Sequence, residues 1–160
     1  CIKCALMLCL SYCTFNTAFT QQHKHQFLTP SDSFNQQRVI AASAFAISSY
    51  AAFSIGLYKA WYINTDRTSF HTFNDWGEWK YMDKFGHLYD AYFQSALSAS
   101  GARWAGISRN KSSWLGMAVA MSFMTTIEMY DGYSKQWGFS WSDMSANALG
   151  LGFYLAQEKI

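Results

Sequence analysis

Charge is what this sequence has least of. Asp, Glu, Lys and Arg make up 14% of its 160 residues, against about 25% in soluble domains. That deficit points to a membrane or envelope setting. The net charge of +2, with no Lys/Arg cluster, argues against a phosphate-tracking nucleic-acid surface. A single proline and the lack of any low-complexity run argue against a disordered chain. No HExxH, GxSxG or P-loop pattern occurs, so no dedicated motif names a reaction. No alternating polar and apolar run predicts a strand.

Cysteine is confined to the first stretch, "CIKCALMLCLSYCTFNTAFTQ". A lysine near its beginning and an uncharged run from Cys4 to about Thr20 read as a secretory leader. Ala18 and Thr20 are the small residues expected before a cut at Gln21. Because Cys1, Cys4, Cys9 and Cys13 all fall in this stretch, disulfide-framework and zinc-finger readings drop away. "LSYC" resembles a lipoprotein acylation site, but Tyr12 is large for the position before the cysteine. The expected organisation is a leader-like segment over 1–20 and a single α-helical domain over 21–160.

Half the residues are apolar and 19% are aromatic, and their spacing predicts an all-α bundle of about four apolar helices. "TPSD" predicts the first start, with Thr29 as N-cap, Pro30 in the first turn and Asp32 as capping-box partner. Between Arg38 and Lys59 lie about 20 uncharged residues, which at about 1.5 Å each match a bilayer core. Tyr58, Trp61 and Tyr62 gather at the far end, as interface anchors do. The bland alternative is a buried central helix of a soluble bundle. Residues 63–82 break the periodicity and read as a loop or surface-lying segment. A second helix is expected from Asp83 to Ala105 with Gly106 closing it, a third from Lys111 to Asp131, and a fourth from the N-cap Ser140. Ala91, Ser95 and Ala99 recur every four residues, as do Ala146 and Gly150, giving smooth stripes for close helix approach.

Within these apolar helices sit three polar sets: Asp83, Lys84 and His87; Glu128 and Asp131; Asp143 and Asn147. Spacings of three or four place each set on one face. Such groups are costly in an apolar bundle unless paired or used. Local structure explains some of them: Asp83 and Asp143 as caps, Asp131 as an exposed end residue, Lys84 by snorkelling, Asn147 by an interhelical hydrogen bond. His87 and Glu128 are left least explained. The inventory suits a divalent metal, held by His87 with carboxylates from Asp83, Glu128, Asp131 and Asp143. It equally suits a general base, His87 oriented by Asp83.

"DKFGH…YDAYF", followed by "EMYDGYS" and "WGFSWSDMSANALG", resembles the YfiM-like family of predicted periplasmic lipoproteins. The D-K-x-x-H helix with the E-x-x-D and D-x-x-x-N pairs is also loosely similar to VanZ-like membrane proteins. The resemblance runs from about Thr29 to the C-terminus and marks Asp83, Lys84, Gly86, His87, Glu128, Asp131, Gly132, Asp143, Asn147 and Gly150. It implies a periplasmic, membrane-associated location and a helical organisation, and it supplies no reaction. With Cys1 in place of Met and relatives continuing past "AQEKI", both natural ends are expected to lie beyond this sequence. Two functional classes follow. One is a structural or interaction module of the bacterial envelope, partnered by the membrane or an envelope protein and not by nucleic acid. The other is a hydrolase or transferase on an envelope lipid or cell-wall intermediate, with His87, Glu128 and Asp131 catalytic. An ion-conducting unit ranks third, since a single segment has spanning length. Residue types alone name no cofactor, metal or ligand.

Overall fold

A computed structural model of the chain describes residues 27–160. The leader-like stretch with its four cysteines lies outside them. Four helices carry the described fold: α1 (Gln36–Leu57), α2 (Met82–Trp104), α3 (Arg109–Gly132) and α4 (Trp141–Lys159). A wider, π-type turn over Tyr58–Tyr62 prolongs α1, and a tight 3-10 turn over Glu78–Tyr81 leads into α2. The all-α expectation holds, and among the described residues the only ladder pairings are two isolated bridges, Arg67 with Ser134 and Thr72 with Phe139.

The predicted boundaries of α2, α3 and α4 hold to within two residues. α2 ends at Trp104, and Gly106 follows with φ +83°, the left-handed turn that Gly adopts freely. Ser140 caps α4, its side chain accepting from Asp143 N. The start of α1 differs. Its N-cap is Asn35, whose Oδ1 accepts from Arg38 N at 3.1 Å, not Thr29. Residues 29–35 instead wrap the C-terminal end of α2: Ser31 N donates to Trp104 O and Asn35 N to Ala105 O. Arg38 follows them, donating to Trp104 O at 3.0 Å with its guanidinium over the Trp104 ring. Tertiary hydrogen bonds here outweigh the local capping signal.

α2 is the central element, with α3 and α4 packed on two of its sides. Ala91, Ser95 and Ala99 are fully buried on it. A Cβ added at Gly116 of α3 would lie 2.4 Å from Ser95 O, and one at Gly150 of α4 would lie 2.2 Å from Leu88 O. The small residues therefore let backbones touch, as the fourfold spacing predicts. The apolar core is correspondingly slight: Ala91, Phe123 and Met124, with Phe53, Val119, Ile127 and Leu151 against them.

α1 buries no residue fully and, beyond Arg38 at its start, meets the bundle along an aromatic edge. Tyr50 and Phe53 pack on Phe123 of α3, and Tyr58 and Tyr62 on Tyr130. Ile40, Phe45, Ile47 and Ile55 stay exposed. The helix is long and apolar enough to cross a membrane, and its exposure sets aside the buried-central-helix alternative.

The 63–81 segment is irregular, as expected, and is pinned to the α3–α4 connection by main-chain hydrogen bonds. Thr68 N donates to Tyr133 O, His71 N to Gly132 O and Phe73 N to Phe139 O, while Phe139 N donates to His71 O.

The close approaches yield a stability prediction. Gly116→Ala and Gly150→Ala should each destabilise the fold by about 1–3 kcal/mol through overpacking. Gly101→Ala, whose Cβ would meet nothing within 4 Å, should be neutral or stabilising by up to about 1 kcal/mol. Thermal unfolding of the three variants in detergent checks the ordering.

Candidate functional site

The three polar sets meet where the N-terminal ends of α2 and α4 face the C-terminal end of α3. Lys84 is at the centre. Its Nζ lies 2.6 Å from Asp143 Oδ1, 2.7 Å from Asp75 Oδ2 and 3.1 Å from Asp83 Oδ2. The Lys84 side chain is 11% exposed, so the snorkelling expectation is corrected. An ammonium with three carboxylate partners does not need to reach water.

His87, one turn along α2, points into the same region. Its Nδ1 lies 3.2 Å from Asn147 Oδ1 on α4. With that oxygen accepting, Nδ1 carries the proton and Nε2 presents its lone pair. Nε2 faces Asp83 Oδ1 at 3.8 Å, Glu128 Oε1 at 3.8 Å and Asp143 Oδ2 at 4.0 Å, too far for hydrogen bonds. Glu128 is 1% exposed; its Oε2 accepts from Ser140 N at 2.9 Å, and Oε1 has no hydrogen-bond partner among the described residues. Asn147 is fully buried, and its Nδ2 has no partner among the described residues.

Three local assignments change. Asp83 does not cap α2, because Tyr81 holds the N-cap position. Asp143 does not close a reciprocal capping box: Glu128 takes Ser140 N, which leaves the Asp143 carboxylate for Lys84. Asp131 is half-buried rather than exposed, and accepts a 2.6 Å hydrogen bond from Tyr62 OH at the end of α1. Gly86, marked by the resemblance, is exposed and its Cβ position is open, so packing does not require it.

Asp75 and Ser142 join the cluster without a sequence signal that singled them out, and Tyr62, expected as an interface anchor, joins it through Asp131. Asp75 accepts from Ser140 Oγ at 2.6 Å and from Ser142 Oγ at 2.5 Å, besides its ion pair with Lys84. It comes from the aperiodic 63–81 segment, where helical spacing cannot flag a facing residue. His71, in the same segment, pairs through its backbone alone with Gly132 and Phe139.

Burial works against every charge here. Burial would raise Asp75, but hydrogen bonds from its neighbours, Lys84 and the two serines among them, bring it well below the usual carboxylate range. Burial and the adjacent Asp75 push the Asp143 carboxyl up to about 6, with Lys84 pulling the other way. Desolvation, reinforced by Asp143 and Asp131, pushes Glu128 up to about 8 despite its bond from Ser140 N. Burial also raises Asp131 to about 6.

The sequence profile of the predicted periplasmic lipoprotein family (DUF2279) matches residues 72–157, which span the whole cluster apart from Tyr62. The chain belongs to that family. No curated protein and no solved structure matches it. The family description places the chain in the bacterial envelope, on the periplasmic side and membrane-associated.

Two outcomes test the site's energetics. Lys84→Met should cost about 3–5 kcal/mol, because it strands buried carboxylates rather than deleting a neutral contact. Adding Asp75→Asn to that variant should recover part of the loss in denaturant unfolding. The second concerns Asp131. Its folded value is raised, so its stabilising contribution is complete below the unfolded value of 3.8 and is lost as pH climbs through about 6. Asp131→Asn should flatten the fall in stability between pH 4 and 7 by about 1 kcal/mol, discounted for partial exposure.

Proposed function

We propose that this chain is a helical module of the bacterial envelope, attached to the membrane by α1, whose buried polar cluster fixes the register of its helices for a structural or interaction role. The observation that carries this is the contrast between α1 and the cluster. α1 is apolar on faces that touch no other part of the described chain. The cluster, by contrast, ties α2, α3, α4 and the 63–81 segment through Lys84, Asp75, Ser140 and Glu128. A groove lined by Thr72, Phe73, Asn74, Trp76, Trp141 and Ser142 meets the cluster at Ser142, away from His87 and Glu128. A binding face needs no more than this.

The second reading is an envelope hydrolase or transferase with His87 as base and Glu128 and Asp131 as acids. What supports it is the His87 orientation by Asn147 and the raised Glu128 carboxyl beside it. The YfiM-like and VanZ-like likenesses favour neither reading, since neither brings a reaction.

Fractionation tests the module. The full chain should remain with membranes after an alkaline wash and be cut by protease added to spheroplasts. Phe45→Lys with Ile47→Lys should shift it towards the soluble fraction. Retention of that double variant would contradict attachment through α1. Incubation with envelope lipid extract and peptidoglycan should give no turnover, whereas product release abolished by His87→Gln would favour the enzyme.

A further inference from the structure

We propose that His87 Nε2, Asp83, Glu128 and Asp143 form a site for one first-row divalent transition cation of the manganese or zinc class. The inference stands on four converging donor atoms and does not depend on the module reading.

Three observations carry it. The first is distance. Donors bound to one ion at about 2.0–2.2 Å lie at most about 4.4 Å apart. The three carboxylate oxygens lie 3.8, 3.8 and 4.0 Å from His87 Nε2. Ligand atoms of Asp83, His87 and Asp143 all fall within 4.8 Å of one another, so these three close on an ion with shifts of a few tenths of an ångström, and Glu128 joins them through the 3.8 Å approach of its Oε1 to Nε2.

The second is the unpartnered oxygen. Glu128 is 1% exposed, yet among the described residues its Oε1 has no hydrogen-bond partner, and it faces His87 Nε2 at 3.8 Å. At 3.8 Å no hydrogen bond joins Glu128 Oε1 to His87 Nε2, whichever of the two carries a proton, whereas a cation between them would be bonded by both. An imidazolium would supply charge, but it would close to hydrogen-bond distance of about 2.7–2.9 Å on one carboxylate. Instead Nε2 stands nearly equidistant from three.

The third is charge. Among the described residues, the cluster brings Asp75, Asp83, Glu128, Asp131 and Asp143 together with one fixed cation, Lys84. Lys84 is engaged by Asp75, Asp83 and Asp143 and does not contact Glu128 within ion-pair distance. A divalent ion would offset the remaining negative charge.

One imidazole among carboxylates selects the class. Oxygen-only sites suit magnesium and calcium, whereas a nitrogen ligand shifts preference to manganese, iron or zinc. The Nδ1 bond to Asn147 supplies the outer partner that metal-bound histidines use to fix the ring. Asp83, at 38% side-chain exposure, marks the side from which an ion enters.

The test is titration of the chelator-stripped full chain in detergent with manganese(II), followed by loss of the free-ion paramagnetic signal, and with zinc(II), followed by thermal shift. Magnesium and calcium serve as comparison ions. The expected result is about one ion per chain, a higher melting temperature, and manganese or zinc binding at least tenfold tighter than magnesium or calcium. Asp83→Asn is half-exposed and should leave the stripped protein folded while weakening binding at least tenfold; His87→Gln should do the same. Absence of saturable binding below about 100 μM, or binding that persists unchanged in both variants, would overturn the proposal. The latter outcome would place the ion outside this cluster. Tighter binding of calcium or magnesium would overturn it as well.

Discussion

A single ammonium organises this protein. Lys84 lies within 3.1 Å of Asp75, Asp83 and Asp143, which come from the 63–81 segment, α2 and α4. Removing an ammonium from water costs several kcal/mol, and only well-placed partners offset that. Once Lys84 is placed, Asp143 is fixed, and with it the first turn of α4. Ser140 then caps α4 with its side chain while its backbone N–H goes to Glu128. The end of α3 is thereby tied to the start of α4 by a polar bond, in a fold whose apolar core is small.

Close backbone contact makes this geometry reachable. Short polar side chains bridge helices only when the axes are near, and glycine at 116 and 150 against Ala91, Ser95 and Ala99 brings them near. The stripe and the polar cluster lie on the same central helix, so packing along α2 sets the distances at its N-terminal end. α1 stands apart: it is joined by edge-on and tilted aromatics, by Arg38 on Trp104 at its start, and by two hydroxyl bonds, between Tyr50 and Thr126 and from Tyr62 to Asp131. That edge links a helix of membrane-spanning length to the cluster through Asp131.

Much of this was legible because helices impose a period. The α2, α3 and α4 limits, the small-residue stripes and the three polar sets all follow from spacings of three and four. The convergence of Asp83, Lys84, His87, Glu128, Asp143 and Asn147 followed from placing those faces together. Asp75 was not legible, because an aperiodic segment has no face to project. Nor was the role of Asp143, since a capping box and an interhelical carboxylate share one spacing. The start of α1 misled for the opposite reason. "TPSD" is a sound local signal, but residues 29–35 spend their hydrogen bonds on the end of α2. Local rules set the helices, and the long-range partners decide which polar groups remain for the site.

The most direct measure of the account is the coupling between Lys84 and Asp143, obtained by unfolding the wild type, Lys84→Met, Asp143→Asn and the double variant under one condition. A central ion pair held in low dielectric predicts a coupling of about 2 kcal/mol or more. A coupling below about 0.5 kcal/mol, as for solvent-exposed pairs, would contradict it.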